Sequence, residues 1–459
     1  MPIPHVPDIA GQRSQPETRS DEAKARSAVR AGVFAYFVDM YDIYLPVLTL
    51  LPAAAYFSSA DISPRVAAIL SSLVFVSTFV ARPIGAAVFG HFADRRGRKK
   101  MTLVAVGGFG VCTLLIACLP GYETIGIWSI SLLIALRFLD GIFLGGEYTT
   151  AVPLAMEWSP KNKRGINGGI ITSMSPASYS VLAVFTLVLL QGVPSGSLDS
   201  PYVQWGWRIP FAVGAVLAIG LFVLYSRSVE EPETERAASG KSPLLMLLTS
   251  EHRGALLQVF VLMTGIWFIT YVTTAVFPGL LVSHLGYSSG RATAVLAIAT
   301  AVAAIAYVGY GQLSQIIGRR TFYIAYGFLA VTAGSALFAA IMTAPMDFWM
   351  VVVAASGFAL VTICSQAVIA SYLTERFPSQ IRASGYGVGY SLALIIPSFY
   401  AFYIEGLSEF IPNYLAPVVL IVIGGLLVAG AAAAGPETRD VDMQKHACDR
   451  SSDPELIAR

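Results

Sequence analysis

Six ionisable residues lie inside stretches otherwise apolar enough to cross a bilayer: Asp39, Asp42, Arg82, Arg137, Asp140 and Glu147. A charge at the centre of a membrane helix costs about 2.5–3.5 kcal/mol on insertion scales, so such residues pair or line a wet cavity. At 3.6 residues per turn, Asp140 and Glu147 fall within about 20° of each other, and Arg137 stands one turn before Asp140. One helix therefore carries a polar stripe, while Asp39 and Asp42 form a second patch on the first span. Two neighbouring carboxylates cannot both ionise cheaply in low dielectric, and a carboxylate beside an arginine can exchange that partner for a proton. That is relay chemistry, and it makes Asp39, Asp42, Arg137, Asp140 and Glu147 the proton-coupling candidates. The bland alternative is a set of static interhelical pairs. Arg82 has a planar fork suited to a carboxylate cargo, or to a permanent lock on Asp39 or Asp42. Tyr41, Trp267, Tyr271 and Gln366 join Arg82 as substrate-contact candidates, although aromatic residues in membrane helices more often pack or mark the interface.

These side chains need a scaffold, and the composition says which kind. The 459 residues are 55% hydrophobic and only 13% charged, with a mean hydropathy of +0.66. A soluble domain carries about 25% charge. Apolar runs of membrane-spanning length recur along the chain and give about twelve spans. The expected fold is an all-α membrane protein, with six spans in 30–226 and six in 255–435. A polar linker at 227–254 separates them, and tails at 1–29 and 436–459 flank them. The first span is expected to stay as an uncleaved anchor, since its polar lead is long and lacks a cleavage site. With the N-terminus inside, all but five of the 30 Lys and Arg fall on the cytoplasmic side. Arg65, Arg208 and Arg291 lie outside, and Arg82 and Arg137 lie within spans. Both termini are therefore expected in the cytoplasm. Four scattered cysteines form no metal-ligand cluster, so no metal or cofactor is expected. No His-Glu-x-x-His or Gly-x-Ser-x-Gly points to an enzyme. A sensor would call for a longer cytoplasmic output segment than the short linker and tail. The expected partners are a small-molecule substrate, protons and the lipid bilayer, with no nucleic acid and a monomeric chain. No Asn-x-Ser/Thr occurs, which suits a bacterial cytoplasmic membrane.

The chain repeats itself. Gly90-His-Phe-Ala-Asp94-Arg95-Arg96-Gly97-Arg98-Lys99 returns as Gly311-Gln-Leu-Ser-Gln315-Ile-Ile-Gly318-Arg319-Arg320. Glu157-x-x-Pro160-x-x-x-Arg164 returns as Glu375-x-x-Pro378-x-x-x-Arg382, and Pro-Glu-Thr occurs at Pro232 and again at Pro436. Three matches in order at a nearly constant offset mark two related halves, an arrangement that rocks around a midplane site in transporters.

The first of these motifs resembles the G-x-x-x-D-R-x-G-R-R/K signature of the major facilitator superfamily. Arg137-x-x-Asp140-Gly141 resembles its fourth-helix R-x-x-Q-G, with Asp140 in place of Gln. Asp39-Met-Tyr41-Asp42, Arg82-Pro-Ile-Gly85 and Gly145-Gly146-Glu147-Tyr148 look like the metabolite:proton symporter group. Leu119 to Gly126 and Trp205 to Phe211 look like its alpha-ketoglutarate permease branch. The resemblance implies a proton symporter for a small organic acid, with the first, seventh and tenth helices bordering the cavity. A facilitator or symporter for a sugar, zwitterion or aromatic acid is the alternative. Ser175-Pro176-Ala177 in the fifth span departs from the G-P-x-x-G-G of drug antiporters. The 90–100 segment lacks the Gly-Lys-Ser/Thr ending of a phosphate loop and reads as a cytoplasmic clasp. In it Asp94 is expected to face a helix terminus or Arg164, and Glu157 to engage an arginine of that loop. The gating set is Gly90, Asp94, Arg95, Gly97, Arg98, Glu157 and Arg164, with Arg319, Glu375 and Arg382 from the second half.

Overall fold

The computed structural model describes residues 19–59, 64–229, 243–249 and 251–443, and these form helices and connecting turns with no strand among them. The remainder of the expected tails and linker lies outside the described residues. Among the described residues, twelve helices are long and apolar enough to cross a bilayer. In the first half these are α1 (Ala25–Leu50), α2 (Leu73–Arg96), α3 (Arg98–Ala117), α4 (Trp128–Glu157), α5 (Lys161–Gly192) and α6 (Tyr202–Ser228). In the second they are α7 (Arg253–Ser283), α8 (Ser289–Ile317), α9 (Arg319–Thr343), α10 (Phe348–Arg376), α11 (Ser379–Leu407) and α12 (Ala416–Ala434). At 1.5 Å per residue each reaches across the roughly 30 Å of hydrocarbon. Ile305, Val353 and Val216 are 80%, 72% and 66% exposed, which marks their faces of α8, α10 and α6 as lipid-facing.

Two boundaries differ from expectation. The first span ends earlier than 57, because Pro46 and Pro52 interrupt its regular hydrogen bonding. The second helix continues to Arg96, so Gly90 to Arg96 is helix and only Gly97 forms the break before α3. Gly97 has φ 105° and its repeat partner Gly318 has φ 96°, a region that strains any side chain bearing a Cβ. The repeated letters thus carry a repeated corner.

The halves meet through α2, α4 and α5 on one side and α8, α10 and α11 on the other. Contact is closest where side chains vanish. A Cβ on Gly165 would meet the carbonyl oxygen of Gly311 across the boundary at 2.5 Å, and one on Gly90 would stand 3.0 Å from Ser384 Cα. Small residues permit backbone approach in bilayers, where no hydrophobic force drives helices together.

Candidate functional site

The six intramembrane charges are all buried, none more than 2% exposed. Arg82 Nη2 donates to Asp39 Oδ1 and Oδ2 at 3.1 and 3.0 Å, tying α2 to α1. Arg137 Nη1 donates to Asp42 Oδ1 at 2.6 Å and lies 2.9 Å from Asp140 Oδ2, while its Nε donates to Thr78. Thr113 Oγ1 donates to Asp42 Oδ2 at 2.5 Å. Asp42 is therefore held by two donors, whereas neither oxygen of Asp140 makes a hydrogen bond. One guanidinium thus faces two carboxylates with unequal support. Both oxygens of Glu147 also lack hydrogen-bond partners.

None of these six lines either of two cavities between the halves. The larger, about 30 Å³, has Trp267, Tyr271, Phe75, Phe79, Tyr44 and Met40 among its walls. The smaller, about 10 Å³, is bounded by Gln366, Tyr307, Thr300 and Tyr179 among others. Of the expected substrate contacts, Trp267, Tyr271 and Gln366 line a cavity. Arg82 and Tyr41 line neither cavity. Arg82 pairs with Asp39 and stands 5.9 Å from the Tyr148 ring, whose centroid lies 4.1 Å from that of the tilted Tyr390 ring of the other half. Tyr41 turns into the first half, where its hydroxyl donates to the Pro210 carbonyl of α6 at 3.2 Å. Tyr44 takes the place expected of Tyr41. Met40, Ile43, Tyr44 and Val47 follow helical spacing and give α1 its cavity face, with Asp39 and Asp42 on an adjoining one. Regular backbone fails where the cavity is built. α7 widens over Val272–Val276 and α10 tightens over Ile363–Val368. Irregular backbone at membrane depth is tolerated where it lines a cavity.

The face carrying the basic corners is closed. Asp94 accepts from Ala383 N, Ser384 N and Ser384 Oγ at 3.2, 3.0 and 2.7 Å, capping the start of α11 in the opposite half. A carboxylate there satisfies orphan amides and meets the positive end of the helix dipole. Glu157 pairs with Arg98 of its own half and takes Arg382 Nη1 of the other at 2.5 Å. Arg98 Nη2 reaches the Ser379 carbonyl at 3.3 Å. Asp94 chooses the helix terminus rather than Arg164. Arg95, expected in the clasp, is exposed, because one residue after Asp94 it points about 100° away, whereas Arg98, at the start of α3 beyond the Gly97 corner, comes back within 3.7 Å of Asp94.

Comparison with known proteins fits this geometry. The sequence pattern described as Major Facilitator Superfamily matches residues 32–401. The chain belongs to that superfamily. The shikimate transporter of Escherichia coli K12 is 29% identical over 435 residues, covering 91% of this chain and 96% of that protein. The alpha-ketoglutarate permease of the same organism is 30% identical, covering 82% and 85%. The solved structure of the Escherichia coli proton:xylose symporter XylE shares the fold, with a TM-score of 0.71 at 17% identity over 93% of this chain and 99% of that one. The chain is a multi-pass membrane transporter of metabolites and not an enzyme.

The transporter's second basic corner uses different chemistry. Arg319 donates to both oxygens of Glu375 at 3.3 Å and to Gln315 Oε1 at 2.6 Å, and that oxygen also accepts from Gly165 N across the halves. Gln315 thus joins the halves without a charge. The C-terminal segment supplies the carboxylate that position 315 lacks. Glu437 accepts from Arg319 N and Arg320 N at 2.8 and 3.1 Å, capping α9, and Thr438 Oγ1 donates to Glu375 at 2.9 Å. Arg164 reaches past the clasp to the Val441 carbonyl at 2.7 Å. The repeated Pro-Glu-Thr was the sequence signal for this strap; its first copy lies outside the described residues. Glu437→Ala is expected to destabilise α9 by about 1–2 kcal/mol through the lost cap, measured as a lower thermal midpoint of the detergent-solubilised protein.

Proposed function

We propose that this transporter carries a small organic acid together with protons by alternating access between its two halves. The observation that supports this most is the Asp42–Arg137–Asp140 site, where two carboxylates share one guanidinium in a dry interior. Ionised together they leave one negative charge unbalanced, a state that a proton relieves. Asp140, without hydrogen bonds, is the proton carrier in this reading; Asp42 is the anchor that holds Arg137. Glu147 and the Arg82–Asp39 pair extend the relay toward the tyrosines at the boundary between halves. α1 links relay to cargo, since the helix that carries Asp39 and Asp42 also offers Tyr44 to the cavity. Cargo pressing on one face changes the pairing on the other.

The Lys and Arg distribution assigns the clasped face to the cytoplasm and both termini with it. The state described is then closed inward, and transport requires the Asp94 and Glu157 contacts to break, a two-state element biased by cargo and proton. Residues 30–226 and 255–435 serve as the moving halves. A single chain holds cavity, relay and gate, so a monomer suffices, placed in the inner membrane of a bacterium.

Purified protein in proteoliposomes, given labelled shikimate or 2-oxoglutarate, is expected to accumulate at least one of them when an inward proton gradient is imposed. A protonophore should abolish that accumulation. Equal uptake without the gradient removes the symport, and no uptake of either acid removes the organic-acid assignment. The charge-free cavity lining favours a second reading, a neutral polyhydroxylated cargo, which labelled D-xylose tests in the same vesicles.

A further inference from the structure

We propose that the cargo is a ring-bearing, hydroxylated monocarboxylate whose carboxylate is received by Trp267 Nε1 and Tyr271 Oη. This rests on the transport reading above and narrows it. The two cavities share Tyr44, Ser175, Thr270 and Thr274, so they form one chamber. Among the described residues, no Asp, Glu, Lys, Arg or His lines it. A diacid placed there would bring two negative charges to a wall with no cation, and burying an unpaired charge is strongly unfavourable.

At one end of the chamber Trp267 and Tyr271 line the wall, and their buried Nε1 and Oη lack hydrogen-bond partners among the described residues. The side chains stand one turn apart on α7, with ring centroids 5.7 Å from each other, and they are 6% and 3% exposed. An indole N–H only donates, so the pair awaits an acceptor. Neutral donors serve a single carboxylate through charge-assisted hydrogen bonds. A quaternary ammonium would also favour aromatic walls, but a simple cation offers nothing to a donor, and a betaine, whose carboxylate does accept, lacks the ring and hydroxyls that the rest of the lining suits. Phe79 lies 5.7 Å from Tyr271 and 4.6 Å from Phe75, so flat apolar faces stand beside the donors and suit a ring. The other end is neutral and polar. Gln366 Nε2 donates to Thr270 Oγ1 at 2.8 Å, and the Tyr44 and Ser175 hydroxyls are 3.1 Å apart. Such groups exchange partners readily with the hydroxyls of a cargo.

Counterflow of labelled shikimate in proteoliposomes, run without a proton gradient, tests the class independently of the symport. Loss of gradient-driven uptake leaves this assay readable, and a failed competition pattern leaves the symport untouched. Shikimate and other hydroxylated ring monocarboxylates are expected to compete at concentrations at least about tenfold below 2-oxoglutarate, succinate, glycine betaine or D-xylose, the discrimination expected from one hydrogen bond to a charged group. Shikimate methyl ester, uncharged, should compete about tenfold more weakly than the acid. Trp267→Phe and Tyr271→Phe keep the rings and remove one donor each. Each, if monodisperse, should weaken inhibition by the acid by about tenfold while barely changing inhibition by the ester. A diacid, betaine or sugar that competes as well as the ring acids overturns the proposal. So do an ester equal to the acid, folded variants that match the wild type, or an absence of competition and counterflow altogether.

Discussion

Asp140→Asn is expected to stop accumulation driven by a proton gradient while leaving counterflow exchange intact. A gradient of one pH unit supplies about 1.4 kcal/mol per proton, about tenfold accumulation for one proton per cargo; the variant should fall to the level of simple equilibration. The reasoning is charge balance. In the wild type Arg137 Nη1 faces Asp42 at 2.6 Å and Asp140 at 2.9 Å, two anions against one cation. Asparagine at position 140 leaves a neutral Arg137–Asp42 pair that needs no proton in either state. Because Asp140 makes no hydrogen bond, little packing is lost with its charge. Arg137→Ala acts differently. It abandons two buried carboxylates, and removing one member of a buried ion pair typically costs about 3–5 kcal/mol, so poor yield and no transport of any kind are expected. Static pairs predict the opposite for position 140: a variant that is unstable yet coupled.

Glu157→Gln should release the clasped face. Glu157 is the only carboxylate between Arg98 and Arg382 among the described ion pairs, and Arg382 lies in the opposite half. Hydrogen bonds to charged groups are each worth about 1.5–3 kcal/mol, and every 1.4 kcal/mol is tenfold in a population. The inward-open fraction should therefore rise by roughly tenfold to a hundredfold. A cysteine placed at Ser371, which is fully buried and faces Gly168 of the other half, reads this out once the native cysteines are replaced. A water-soluble maleimide applied to the clasped face should label Ser371→Cys slowly in the parent and quickly in Glu157→Gln. Equal rates would mean that the Asp94 cap and the close glycine contacts hold the face alone.

Much of this was legible before the structure, for identifiable reasons. Apolar runs report membrane spans directly, and the repeat of 90–99 at 311–320 reported two halves because the same corner glycine, with positive φ, is needed twice. Pair spacing also read through: Arg137 does meet Asp140 one turn on, and Glu157 does engage an arginine of the first corner. What failed was rotation about a helix axis. α1 is buried on nearly every side, so its periodicity could not say whether Tyr41 or Tyr44 faces the cavity. Arg95 was grouped with its motif by adjacency, whereas a helix places neighbours on different faces. The strap was missed as chemistry because a cap is made to a backbone amide, and a sequence does not display which helix end a distant carboxylate reaches. The same holds for Asp94, whose partners Ala383 and Ser384 lie in the other half. Arg82 was open to a cargo carboxylate or to a lock on Asp39 or Asp42, and in this state it pairs with Asp39.

The relay can be watched directly by following protons rather than cargo. Proteoliposomes with a trapped pH dye and equal pH on both sides receive a pulse of the transported acid. Acidification of the lumen in step with cargo entry, lost in Asp140→Asn although exchange persists, is the predicted result. Cargo entering the wild-type vesicles with no change in the dye signal, or acidification that survives in Asp140→Asn, would contradict the account.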